Sequence, residues 1–262
     1  MTRVLSALVL LPLVIGTVWY LPPIATLVLA TVAAALAFVE YAAIVAAIDS
    51  RVPTLVTGAA VVAACIGMGA GYASSDVILM SAVIAVGSIA VAAGAADPAV
   101  VRGVAASILP IAYIGLPLGA IAAVRAFAGR DALLLLMLTI VISDSAQYYC
   151  GRAFGRRPLA PAISPKKTIE GAIGGLVFGT LTMTVGGRWV FPDAPLALLI
   201  AVSACITALG MVGDLFESML KRSAGVKDSS HLIPGHGGIL DRIDSWLFAA
   251  PLYYVFARYL RL

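Results

Sequence analysis

Apolar runs close to twenty residues long succeed one another along this chain, and they limit its possible folds more than any other feature. They lie at about 4–21, 23–47, 53–73, 77–95, 101–126, 131–150, 171–190, 195–214 and 245–260. A helix of ~20 apolar residues crosses a hydrocarbon core. The strands of a membrane barrel would alternate apolar and polar residues, and these runs do not. With 62% hydrophobic and 11% charged residues, the chain lies far from the ~45–50% apolar and ~25% charged composition of soluble domains. The predicted fold is therefore all-α: a polytopic integral membrane protein of about 8–9 transmembrane helices. The first run follows Arg3 but lacks a clean small-residue cleavage site, so a retained helix is expected rather than a signal peptide. Pro12, Pro110 and Pro117 are expected kinks, and the Ala/Gly/Ser texture suits close helix packing. Cys65, Cys150 and Cys205 have no ligand-like spacing and read as small packing residues.

Against this background the ionisable residues are unevenly spread. Segments 144–170 and 214–244 hold nine of the 17 basic residues and seven of the 13 acidic ones. All four lysines and both histidines lie there. The chain thus reads as an N-terminal scaffold of transmembrane helices, 1–128, followed by a C-terminal region, 129–262, that carries the polar chemistry. Positive residues in short loops mark the cytoplasmic side, which puts "GRAFGRRPLAPAISPKKTIEG" in the cytoplasm. Two further spans go out and back, so the second polar segment returns to the same face. Arg3, Arg51 and Arg102 agree with this orientation, whereas Arg125, Arg130, Arg258 and Arg261 run against it.

The residue types in the two segments suit phosphate chemistry. In "GDLFESMLKR", Asp214, Glu217, Ser218 and Lys221 share one helix face at i, i+3, i+4 and i+7. A solvated helix end with a Glu217–Lys221 pair would look the same, but Asp214 directly follows an apolar run, where a carboxylate is costly without a partner. In "HGGILDRIDSW", Asp241 and Asp244 are three apart, and Gly237 and Gly238 allow close backbone approach. Clustered carboxylates without cysteine suit a hard cation such as Mg²⁺, and neighbouring lysines and arginines suit phosphates. Ser164 and Pro165 read as an N-cap and first helical position, which would set Lys166 and Lys167 at an anion-favouring helix start. Asp144 lies within the sixth run with Gln147 and Tyr148 one turn on. Glu40, inside the second run, is an isolated carboxylate without an assigned role. No GxxxxGK[ST] loop or strand-borne GxGxxG is present, so a nucleotide would be held by these two segments.

Ser218, Lys221-Arg222, Lys227-Asp228, Pro234, His236-Gly237-Gly238 and Asp241-Arg242-Ile243-Asp244 together resemble the signature of the phosphatidate cytidylyltransferases, or CDP-diacylglycerol synthases. The preceding "DSAQYYCGRAFGRRPLAPAISPKKTIEGAIGG" resembles the stretch before that signature. The N-terminal runs match only in being hydrophobic. The resemblance implies transfer of CMP from CTP to phosphatidate, with Mg²⁺, in a homodimeric enzyme of the bacterial inner membrane whose polar cavity faces the cytoplasm. It implies no nucleic-acid partner. Asp214 and Asp241 are the expected metal ligands, with Asp244 and Asp144 next; whether a monovalent cation accompanies Mg²⁺ is left open. Lys166, Lys167, Lys221, Arg222 and Lys227 would hold the phosphates of CTP and phosphatidate. Ser164, Ser218, Asp228, His236, Gly237, Gly238 and Arg242 complete the expected substrate contacts. The alternatives are a transporter for an organic anion and a CTP-dependent lipid-alcohol kinase. CDP-alcohol phosphatidyltransferases are disfavoured, because their DG-x2-AR…G-x3-D-x3-D pattern is missing.

Overall fold

A computed structural model describes residues 2–48, 50, 52–94, 97–230, 232–233, 235 and 237–260, with side chains from residue 11 onward. The chain is built from α1 (Thr2–Tyr20), α2 (Pro23–Ala46), α3 (Thr54–Gly69), α4 (Ser75–Ala92), α5 (Pro98–Pro110), α6 (Leu116–Phe127), α7 (Arg130–Phe154), α8 (Ile169–Val190), α9 (Leu196–Ser223) and α10 (Leu240–Tyr259). A short hairpin of β1 (Pro158–Ala160) and β2 (Ser164–Thr168) separates α7 from α8. The all-α membrane fold read from the apolar runs is therefore the one observed. Among the described residues, six helical stretches are long and apolar enough to cross a membrane, and Leu11–Tyr20 and Thr54–Gly69 are shorter apolar helices. One of the six runs through α5 and α6, because a π-helical turn at Ile111–Gly115 joins them. It follows Pro110, whose missing N–H and ring disturb the i→i−4 ladder, so the expected kink takes the form of a π turn. Asp97 caps α5 by accepting from the Ala99 amide at 2.7 Å, with Pro98 as the first helical residue.

One boundary differs from the sequence reading. Ser164 and Pro165 do not open a helix; they lie in β2, where Ala160 pairs with Ser164 and Pro158 with Thr168. Helix α8 starts five residues later, capped by Thr168, whose hydroxyl accepts from the Gly171 amide at 3.1 Å. Pro165 fits a two-stranded hairpin because an edge strand tolerates a missing donor. Glu170 fixes the base of the hairpin by accepting from the Arg156 and Arg157 amides at 3.0 and 3.2 Å.

Helices α7 to α10 pack directly on one another. Gly171, Gly175 and Gly179 recur at one turn apart on α8, and all three are buried. A Cβ at Gly171 would lie 2.7 Å from the Gln147 carbonyl, so only hydrogen there lets α8 lie this close to α7. Leu133, Leu136 and Ile140 of α7, Met183 of α8, Leu199 and Ile206 of α9, and Leu247 of α10 fill the interior. Tyr253 on α10 is buried and donates to the Ala132 carbonyl at 2.6 Å, which satisfies its hydroxyl.

The helix directions sort the chain ends of these elements onto two poles. The ends of α2, α7 and α9 and the starts of α8 and α10 gather at one pole. The end of α1, the end of α6 and the start of α7 meet at the other, about 37 Å away along the 25 residues of α7. There Arg125 donates to the Val18 and Leu21 carbonyls at 3.0 and 3.1 Å, and Arg130 lies 4.9 Å over the Trp19 ring.

Candidate active site

The first pole contains a cavity of about 620 Å³. Its wall carries five carboxylates, Asp144, Asp214, Asp228, Asp241 and Asp244, and seven cations, Arg152, Lys166, Lys167, Lys221, Arg222, Lys227 and Arg242. Each group arrives there for a local reason. Asp214 and Lys221 are seven residues apart on α9, so both fall on one face two turns long. Helix α10 crosses close behind them, because a Cβ at Gly213 would lie 2.5 Å from the Asp244 carbonyl. That approach brings Asp214 beside Asp244, and Asp144 of α7 stands close enough for the three carboxylates to repel one another. The hairpin swings Lys167 over them, where it forms an ion pair with Asp214.

Lys221 is the most enclosed cation of the site, only 8% exposed. Its ammonium lies 2.5 Å from both Glu217 and Asp241. Glu217 is wholly buried rather than part of a solvated helix end, so the Glu217–Lys221 pair lies in the interior. An ammonium between two carboxylates is a fixed positive charge with its head group oriented. Next to Glu217 in sequence, Phe216 belongs to an aromatic cluster, with Tyr113 edge-on to Phe216 and Phe248 at 5.0 and 5.9 Å. Tyr113 comes from the π turn that follows Pro110.

Asp241 opens the first turn of α10, ahead of its apolar part. Its Oδ1 accepts from Lys221, and its Oδ2 accepts from the Ser229 amide at 3.0 Å, the Ser229 hydroxyl at 2.7 Å and the Gly238 amide at 2.7 Å. Burial pushes this carboxyl up, but Lys221, the Gly238 amide and Ser229 outweigh it and hold it down to about 2. Gly237 has φ +77°, and a Cβ there would sit 2.6 Å from Asp241 Oδ2. The glycine is thus needed both for its backbone angle and for the room it leaves. Arg222 links the two polar segments by donating to the Ile163 carbonyl of the hairpin and, at 3.1 Å, to the Val226 carbonyl.

Of the residues singled out in the sequence, Asp144, Lys166, Lys167, Asp214, Lys221, Arg222, Lys227, Asp228, Asp241, Arg242 and Asp244 line this one cavity. Ser164 and Ser218 do not, nor do Gly237 and Gly238, which act by shaping the loop before α10. His236 lies outside the described residues. Three residues of consequence had no role assigned from sequence: Arg152, which lines the cavity, Ser229, which bonds Asp241, and Glu40, which is buried against the signature loop. Glu40 accepts from the hydroxyls of Ser229 and Ser230 at 3.0 and 2.6 Å and from the amides of Ile239 and Leu240 at 2.9 and 2.7 Å.

The cavity offers oxygen donors and cations, with no cysteine or described histidine in its wall. Among the described residues, no three Asp, Glu, His or Cys side chains are drawn together as a ready-made metal cage. That donor set fits Mg²⁺, which keeps several waters and binds through one or two carboxylates plus substrate phosphates. The surplus of cations over carboxylates suits an anionic ligand with several phosphates.

A sequence model described as "Cytidylyltransferase family" matches residues 1–260. A phosphatidate cytidylyltransferase of Haemophilus influenzae is 44% identical over 132 residues, 49% of this chain and 46% of that protein. One of Staphylococcus saprophyticus is 39% identical over 145 residues, 55% of each chain. The chloroplastic phosphatidate cytidylyltransferase 5 of Arabidopsis thaliana is 48% identical over 132 residues, 50% of this chain and 32% of that protein. The chain thus spans about half the length of the bacterial relatives it matches.

Proposed function

The chain belongs to the cytidylyltransferase family, and we propose that it catalyses CTP + phosphatidate → CDP-diacylglycerol + pyrophosphate with Mg²⁺. The observation that carries this reading is the single cavity in which seven cations and five carboxylates converge at one pole of a membrane helix bundle. A phosphate oxygen of phosphatidate attacks the α-phosphorus of CTP, a new P–O bond forms, and the bond to the β-phosphate oxygen breaks. Pyrophosphate leaves with that electron pair. With a phosphomonoester second pKa near ~6, the nucleophile is already ionised at neutral pH and needs no base. The barrier is the approach of one anion to another, so fixed positive charge should dominate catalysis.

Lys221 is suited to that task because Glu217 and Asp241 hold its head group still. Lys166, Lys227, Arg152 and Arg242 line the cavity without an ion-pair partner among the described residues, so they are available to phosphate oxygens. Lys167, paired with Asp214, orients that carboxylate. Mg²⁺ would be held by Asp214 and Asp241, with Asp144 and Asp244 beside them, and would neutralise charge on the triphosphate. The acyl chains of phosphatidate stay in the bilayer while its head group reaches this pole. We place the pole at the cytoplasmic face of the bacterial inner membrane on the positive-inside count, and a homodimer on the family resemblance. An organic-anion transporter would instead carry charge near mid-bilayer in paired interrupted helices.

The test is turnover by the purified protein in detergent. Labelled CTP and phosphatidate should yield CDP-diacylglycerol and pyrophosphate with Mg²⁺ and nothing once it is chelated. Release of CDP would indicate a kinase, and lack of turnover with any nucleoside triphosphate would sink the reading.

A further inference from the structure

Glu40 is the one buried carboxylate at this pole that neither lines the cavity nor pairs with a cation among the described residues. It comes from α2, in the hydrophobic half of the chain that shows no sequence signature. Its four partners are nevertheless all in the signature loop and the start of α10. Oε1 takes the Ser230 hydroxyl and the Ile239 amide, and Oε2 takes the Ser229 hydroxyl and the Leu240 amide. Three donors, and a fourth shared with Asp241, offset the cost of burying this group, and two of them are amides at a helix start.

The same loop closes on Asp241. The Ser229 hydroxyl lies 3.0 Å from Glu40 Oε2 and 2.7 Å from Asp241 Oδ2, and with one proton it donates to one of them at a time. The amide of Gly238 goes to Asp241, and the next two amides, of Ile239 and Leu240, go to Glu40. Asp241 and Glu40 therefore hold successive peptide groups of one turn, with the Ser229 hydroxyl between the two carboxylates. Gly238 sits between them: a Cβ there would collide with both Ser229 Oγ and Glu40 Oε1. That close approach gives the second glycine of the His-Gly-Gly run a physical reason to be glycine.

We propose that Glu40 is a positioning residue of the active site, which clamps Ser229, Ser230 and the first turn of α10 so that Asp241 is presented to the cavity in one orientation. It does not touch substrate. It acts through Ser229 and the first turn of α10, in the way that partners behind metal ligands fix those ligands. The inference rests on the proposed nucleotidyl transfer only for its catalytic readout.

The experiment compares wild type with Glu40→Gln, of equal size, and Gly238→Ala. In Glu40→Gln one oxygen becomes an N–H donor that must face other donors. Purified variants should keep a wild-type Tm to within a few degrees. Turnover at saturating substrate should fall about 10–100-fold and half-saturating Mg²⁺ should rise by about the same factor, while KM for phosphatidate stays within about two-fold. Glu40→Asp, which keeps the charge, should recover part of the loss. Two readouts do not depend on turnover: Mn²⁺ binding measured by electron paramagnetic resonance should weaken, and amide exchange over 237–241 should accelerate while α7 and α8 are unchanged. Wild-type turnover, metal dependence and exchange in Glu40→Gln would overturn the proposal. So would a loss of activity that merely tracks the loss of folded protein. If the wild type turns over no CTP, the functional reading fails, and Mn²⁺ binding and amide exchange still decide the role of Glu40: weaker binding with faster exchange supports it, and unchanged values overturn it.

Discussion

At one pole of the bundle Arg125 and Arg130 reach the carbonyls of Val18, Trp19 and Leu21, and at the other Lys167 and Lys221 reach carboxylates. Both poles place cations at helix ends, yet they do different things. The carbonyls at the end of α1 carry only partial charge and are left over from the helix ladder, so the arginines there complete a backbone. The one carboxylate they meet among the described residues is the exposed Asp131, 3.7 Å from Arg130, a surface pair of little weight. At the site pole the cations meet full charges, and Arg152, Lys166, Lys227 and Arg242 still face the cavity without an ion pair among the described residues. What separates a functional cluster from a structural one is the surplus of charge that the fold leaves unspent.

The sharpest way to break this comparison is to remove a carboxylate from the site pole. Asp214→Asn or Asp241→Asn should lower turnover at least about 100-fold with the helix content unchanged by circular dichroism, since preorganised charge of this kind carries much of the rate. Next in size is Lys221→Met, which strands Glu217 in the interior. Breaking a buried pair from one side costs about 3–5 kcal/mol, whereas Glu217→Leu combined with Lys221→Met should regain much of that, since only Asp241, still held by Ser229 and Gly238, then lacks its ammonium. Thermal unfolding in detergent measures both, and neither variant should regain turnover. The smallest effect belongs to the other pole. Arg125→Ala should cost about 1–2 kcal/mol through lost bonds to carbonyls and change turnover by less than about two-fold. A larger catalytic loss there would mean that the poles are coupled.

The spans were legible because apolar length is a property of each segment alone, and the runs at 23–47, 131–150 and 171–190 correspond to α2, α7 and α8. Much of the cavity wall was legible for a related reason: the lysines occur only in the two polar segments. The hairpin was not, because Ser164-Pro165 satisfies the local chemistry of a helix start as well as that of an edge strand. What decided the matter was a better cap at Thr168 and the hold of Glu170 on Arg156 and Arg157. Glu40 was noticed as an outlier but could not be given a partner. Its contacts lie 189 to 200 residues downstream, and no local pattern reports a distance of that kind.

That separation also has a meaning in time. A ribosome adds about 5–20 residues per second, so Ser229 and Leu240 emerge on the order of 10–40 s after Glu40. Through that interval the α2 carboxylate has none of its four eventual partners. Until they arrive, only water or other polar groups can satisfy that carboxylate. The loop locks only when α10 arrives, so the growing chain holds no finished site to expose until that helix has been made.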